Sequence, residues 1–147
     1  MTERLSKAEA FLQEAVYQSR GRQAAEVGLV RGRMEGKPSG PTNCGLGREA
    51  AIELALSARA EQLAEELWPD GCDAELQVRI AEVMRTWCAR QDQLDRDRNH
   101  FLKAFRGAHG FDRTVYTPEQ TAEYDAGLER VNEQSNAERR EHALRLL

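Results

Sequence analysis

An all-α fold is predicted for this chain of 147 residues, with three to four long helices forming a bundle or a helical hairpin with an extended, coiled-coil-like arm. Three observations predict it. Ala and Leu carry most of the apolar content while Ile and Val are scarce, and the first pair favours helix where the second would favour sheet. Charged residues make up 31% of the chain, which suits long solvated helix faces. Apolar residues also recur at spacings of three and four in several separate segments. The length and the 40% hydrophobic content are enough for one core, so residues 1–147 are read as a single helical domain.

The first helix is predicted to begin near Ser6, which has capping-box spacing to Glu9. Its stripe runs through Leu5, Ala8, Leu12, Ala15 and Ser19, with Phe11 and Val16 widening it. Gly21 is a predicted kink, after which the pattern resumes through Ala24, Val27, Val30 and Met34. Residues Gly36 to Thr42 hold two prolines and two glycines, so a loop or hinge is predicted over 36–45. A second helix follows from about Leu46 to Trp68, stopped by Pro69-Asp70-Gly71.

Asp73 is the predicted N-cap of a third helix that runs to Arg106. Within it Ile80, Met84, Trp87, Gln91, Leu94, Arg98, Phe101 and Phe105 alternate spacings of four and three without a slip. That is a heptad seam with two polar interruptions, Gln91 and Arg98. Such a helix spans about 50 Å. A compact domain of this size has a radius of gyration of about 15 Å, so the helix is expected to project unless another chain covers it. The eight seam residues are therefore the predicted partner interface. Gly107 to Gly110 ends the helix, and a loop is predicted over 107–117. Thr117-Pro118-Glu119-Gln120 then reads as a strong helix start, with Thr as N-cap, Pro in the first turn and Gln completing a capping box. The last helix presents Tyr124, Leu128 and Val131, turns polar from Asn132 to Glu141, and ends on Leu144, Leu146 and Leu147.

No apolar run approaches membrane-spanning length, so no membrane partner is expected. Met1-Thr2-Glu3-Arg4 leads straight into an amphipathic pattern, without an apolar signal region. Cys44, Cys72 and Cys88 are odd in number and widely spaced, which fits free thiols and a cytoplasmic location. The net charge of −4 argues against a wholesale nucleic-acid coat, yet its distribution alternates. Residues 20–37 and 85–106 each carry +3, whereas 48–82 carry −6 and 118–147 carry −3. Helices of alternating sign most simply attract one another, within the fold or across an oligomer. A sharper reading takes the basic segments as contacts for a phosphate backbone, through Arg20, Arg22, Arg31, Arg33 and Lys37 with Arg90, Arg96, Arg98, Lys103 and Arg106.

Two further constellations bear on chemistry. Asn43 to Arg48 is a Gly-rich turn entering a helix, but it lacks the lysine of a phosphate loop and follows no strand. The acidic residues Glu61, Glu65, Glu66, Glu82, Asp92 and Asp95 place carboxylates on two helices, an arrangement suited to Mg²⁺. Their spacing is similar to that of all-α nucleotide pyrophosphohydrolases, although the second Glu-x-x-Asp pair of that family is absent. The cysteines form no Cys-x-x-Cys clip, and His100, His109 and His142 lack ligand spacing, so no metal site is expected from them. No catalytic residue and no cofactor is nominated. The expected function is that of a non-catalytic interaction or assembly protein, binding a protein partner or copies of itself. An accessory protein on a nucleic-acid backbone is the first alternative, and a Mg²⁺-dependent nucleotide pyrophosphohydrolase the second.

Overall fold

The computed structural model describes residues 2–34 and 57–147, with side chains described for residues 2–20 and 57–147. The predicted hinge at 36–45, the Gly-rich turn, Cys44 and Lys37 lie outside the described residues, as do the side chains of Arg22, Arg31 and Arg33. The fold is an all-α helical bundle. Its helices are α1 (Thr2–Met34), α2 (Ala58–Leu67), α3 (Ala74–His109) and α4 (Pro118–Leu146), with a 3₁₀ turn at Arg113–Val115.

Local chemistry accounts for most helix ends. Asp73 caps α3 by accepting from the Leu76 amide at 2.8 Å. The helix continues one turn past its predicted end, to His109, and stops at Gly110. Gly110 has φ +88°, a conformation that a side chain would strain. Thr117 and Gln120 form the predicted capping box at the start of α4, at 3.2 and 3.0 Å. Replacing Thr117 with Ala should therefore cost about 1 kcal/mol of stability. Urea unfolding checks this, and an unchanged midpoint would show that the cap adds nothing.

Two predicted ends are corrected. The first helix is continuous from Thr2, so Ser6 lies inside it and caps nothing. Its apolar face is already buried at Ala8, only six residues into the helix, so packing sustains the first turn without a capping box. The periodicity predicts a second helix running unbroken from Leu46 through Ala58. Residues 46–56 lie outside the described residues; Ser57 is extended and its hydroxyl accepts from the Ala60 amide, so the described helix α2 starts at Ala58.

One core joins all four helices. α1 contributes Ala8, Phe11, Leu12, Ala15 and Val16, and α2 contributes Leu63 and Leu67. α3 adds Val83, Met84, Trp87 and Cys88, and the end of α4 adds Ala143 and Leu146. α2 runs antiparallel to α1, since Lys7 meets Glu66 and Glu14 meets Ser57. α3 and α4 form a long antiparallel hairpin whose contacts step evenly along both helices. Trp87 lies by His142, Arg90 by Glu138, Gln91 by Ser135, Phe105 by Tyr124 and His109 by Gln120. At Gly127 the packing is tight, because a Cβ there would sit 2.1 Å from Cζ of Phe101. The glycine leaves room for the ring to lie against the α4 backbone.

Candidate functional site

The hairpin determines what the predicted seam meets. Met84, Trp87, Leu94 and Phe105 are buried, Ile80, Gln91 and Phe101 are half-buried, and Arg98 is exposed. Their neighbours are helices of the same chain. Met84 and Trp87 join the four-helix core, while Gln91, Phe101 and Phe105 face Ser135, Gly127 and Tyr124 of α4. The length that made α3 look too long for one chain is matched by α4, whose 29 residues span about 44 Å. Within its polar stretch from Asn132 to Glu141, Ser135 donates to Gln91 of the seam and Glu138 accepts from the adjacent Arg90.

The basic segments divide into paired and unpaired side chains. Arg20 bridges Asp92 (3.6 Å) and Asp95, and Arg90 donates Nε to both oxygens of Glu138, at 2.9 and 3.1 Å. Arg96 donates to the neutral Gln93 at 2.7 Å. Arg96, Arg98 and Lys103 are exposed and Arg106 is half-buried, and none of the four pairs with a carboxylate among the described residues. The two helices that carry the basic segments are thus joined by Arg20, and its charge is answered within the fold.

The acidic residues do not converge. Glu66 pairs with Lys7 of α1 at 3.1 Å, and that bond holds the Lys7 ammonium above its ordinary pKa. Asp92 and Asp95 lie on Arg20, where Asp95 also accepts from Gln91 at 3.1 Å. Glu61, Glu65 and Glu82 stand exposed. Among the described residues no three His, Cys, Asp or Glu side chains could hold a metal ion. This arrangement gives the pyrophosphohydrolase alternative no support.

The far end of the hairpin carries a feature that the sequence pattern concealed. Phe105 is buried in a cluster of rings, with centroids 4.6 Å from His109, 5.4 Å from Tyr124, 5.5 Å from Tyr116 and 5.9 Å from Phe101. The connection above it, predicted as a loop, includes a 3₁₀ turn with Asp112 as its cap. Tyr116 donates its hydroxyl to the Gly110 carbonyl, and the Arg113 guanidinium lies 4.6 Å over the Tyr124 ring. On this fixed backbone Phe111 is 80% exposed and Val115 68% exposed. The legible signals were the Asp112-x-Thr114 spacing of a side-chain turn and the i, i+4 run of Phe101, Phe105 and His109.

The tip has a pH dependence with a definite sign. The Thr114 hydroxyl and backbone amide both donate to Asp112 Oδ1, at 2.6 and 3.0 Å, and hold its carboxyl below the usual carboxylate range. A depressed folded-state pKa contributes stability that is present above the unfolded value and is lost as pH falls through the folded value. The Thr114 amide resonance should therefore stay put at neutral pH and move only below about pH 4. An NMR pH titration checks this, and a transition centred near neutrality would contradict it.

A concavity lies between α1, α2 and the start of α3, about 370 Å³ in volume and walled by Phe11, Ala64, Trp68, Ile80 and Met84, with Cys72 beside them. No helix among the described residues is long and apolar enough to cross a membrane. The class defined by these features is an all-α helical bundle. Compared with protein-family models, curated proteins and solved structures, the chain matches none.

Proposed function

We propose that the protein is a non-catalytic helical interaction and assembly protein, an accessory, adaptor or inhibitor, that acts through its helix surfaces and associates with itself. The hairpin tip is the observation that carries this reading. An exposed phenyl ring and an exposed valine stand on a turn already fixed by Asp112, Tyr116 and the ring cluster below. Pre-organised aromatic anchors lose little conformational freedom on docking, and such residues supply most of the binding energy at interfaces. With the α3 seam filled from within the chain, the tip is the apolar surface best placed to meet a partner.

Sedimentation of the full chain from about 1 µM to about 1 mM tests self-association, because mass action makes it concentration-dependent. A rising mean mass is expected, and a strict monomer throughout ends that part of the proposal. Phe111→Asp should shift the association by about tenfold or more and leave the far-UV circular dichroism unchanged.

Exposed Arg96, Arg98 and Lys103, without carboxylate partners among the described residues, favour a second reading: contact with a nucleic-acid backbone. Duplex DNA affinity would then fall steeply with salt. Replacing all three with Ala would flatten the logarithmic slope by about 0.9 for each phosphate no longer neutralised. Unchanged binding by the triple variant removes this reading.

A further inference from the structure

We infer that a small oxyanion-binding site of the phosphate type lies between α1 and the last third of α4, centred on Arg139. The inference is independent of the self-association above. Arg139 is half-buried, yet its guanidinium meets no carboxylate among the described residues. Its Nη1 donates to the Gln13 amide oxygen at 3.4 Å and its Nη2 to the Asn136 amide oxygen at 3.0 Å. Its Nε–H is buried and has no acceptor among the described residues. Lys7, Arg20 and Arg90, by contrast, are answered by acids: Lys7 by Glu66, Arg20 by Asp92 and Asp95, and Arg90 by Glu138. A partly desolvated cation bonded only to neutral amides, with one donor left over, is a costly arrangement unless something else neutralises it.

The space for such a group is beside it. A concavity of about 320 Å³ is lined by Glu9, Asn136, Ala137, Arg139 and Arg140. Asn136 directs its amide oxygen to Arg139, which leaves its NH₂ group as a donor. Arg140 is largely exposed and its Nε lies 3.7 Å from Glu9 Oε1, a loose ion pair with donors to spare. Two guanidinium groups and a carboxamide thus surround one concavity, opposed by a single carboxylate, and the local balance is one positive charge. Several donors beside one concavity suit a tetrahedral oxyanion with multiple acceptor oxygens. Glu9 is the unfavourable neighbour, held off by Arg140.

That composition predicts opposite responses from two variants. Inorganic phosphate titrated into the full chain at low ionic strength, followed by ³¹P line broadening and by the ¹H–¹⁵N resonance of Arg139 Nε, should give a saturable response. Arg139→Gln should weaken binding by about tenfold or more, since it removes the site's uncompensated charge. Glu9→Gln should tighten binding by a few fold, about threefold, since it removes a like charge. Acetate at equal concentration should compete weakly, which separates a phosphate-type site from a carboxylate site. No saturable phosphate response at up to about 10 mM overturns the inference, as does an equal response in Arg139→Gln. Acetate that competes as well as phosphate overturns the assignment to the phosphate class. If Arg139→Gln fails to fold, Glu9→Gln decides: tighter binding supports the site, and unchanged or weaker binding overturns it.

Discussion

Trp87→Ala should lower the stability of the protein by about 3–5 kcal/mol, the range for removing a large aromatic side chain from a well-packed core. Trp87 has no exposed surface and sits where α1, α3 and the end of α4 meet, its ring 5.2 Å from that of His142. For a chain of this length the loss corresponds to a fall in Tm on the order of 10 °C. The indole Nε1–H is buried without an acceptor among the described residues, so part of the native residue's packing gain is already offset. Trp87→Phe keeps a ring in the site and deletes that donor, and it should cost clearly less than Trp87→Ala. Denaturant unfolding of both variants measures the difference. A Trp87→Ala loss below about 1 kcal/mol would mean that the four helices do not share one core.

Phe105→Ala should have a comparable local effect and a different spatial reach. Phe105 is buried among four aromatic neighbours at the far end of the hairpin, where only α3, α4 and the turn contribute to its described surroundings. Ring contacts of this kind add about 0.5–1.5 kcal/mol each beyond area burial. Removing the central ring should open the tip by several kcal/mol while the Trp87 layer keeps most of its protection. Hydrogen exchange separates the two: amides from His109 to Tyr116 should lose protection, whereas those around Met84 to Cys88 should change little. Unaltered exchange at the tip would show that the turn holds itself without the ring beneath it. The same variant bears on function, because Phe111 and Val115 are presented on the turn that Phe105 supports.

Where local chemistry decides, the chain was readable from its residues. The capping box at Thr117, the cap at Asp73 and the break at Pro69-Asp70-Gly71 all depend on contacts within a few positions, and all occur as predicted. The Ser6 cap and the helix expected to run through residue 57 failed for the converse reason. A capping motif states where a helix can start, and packing around Ala8 carries α1 past its candidate cap. At Ser57 the hydroxyl accepts from the Ala60 amide and caps α2, at a position where periodicity alone reads as helix interior. The candidate site was less legible still. Phe111 and Val115 have no periodic partner, and Arg139 is one arginine among several until Gln13, 126 positions away, is brought against it.

By itself the sequence determined the all-α class, the heptad spacing of α3 and the faces its helices would bury, because helix propensity and periodicity are properties of neighbours along the chain. Only the tertiary structure decided what those faces meet. The seam from Ile80 to Phe105 asks for an apolar surface of matching length, and α4 supplies much of it from the same chain. The same holds for charge: Arg20 and Arg90 found carboxylates, while Arg96, Arg98, Lys103 and Arg139 found none among the described residues. A one-dimensional pattern names a face and a charge; the partner depends on distance in space, which the bundle sets.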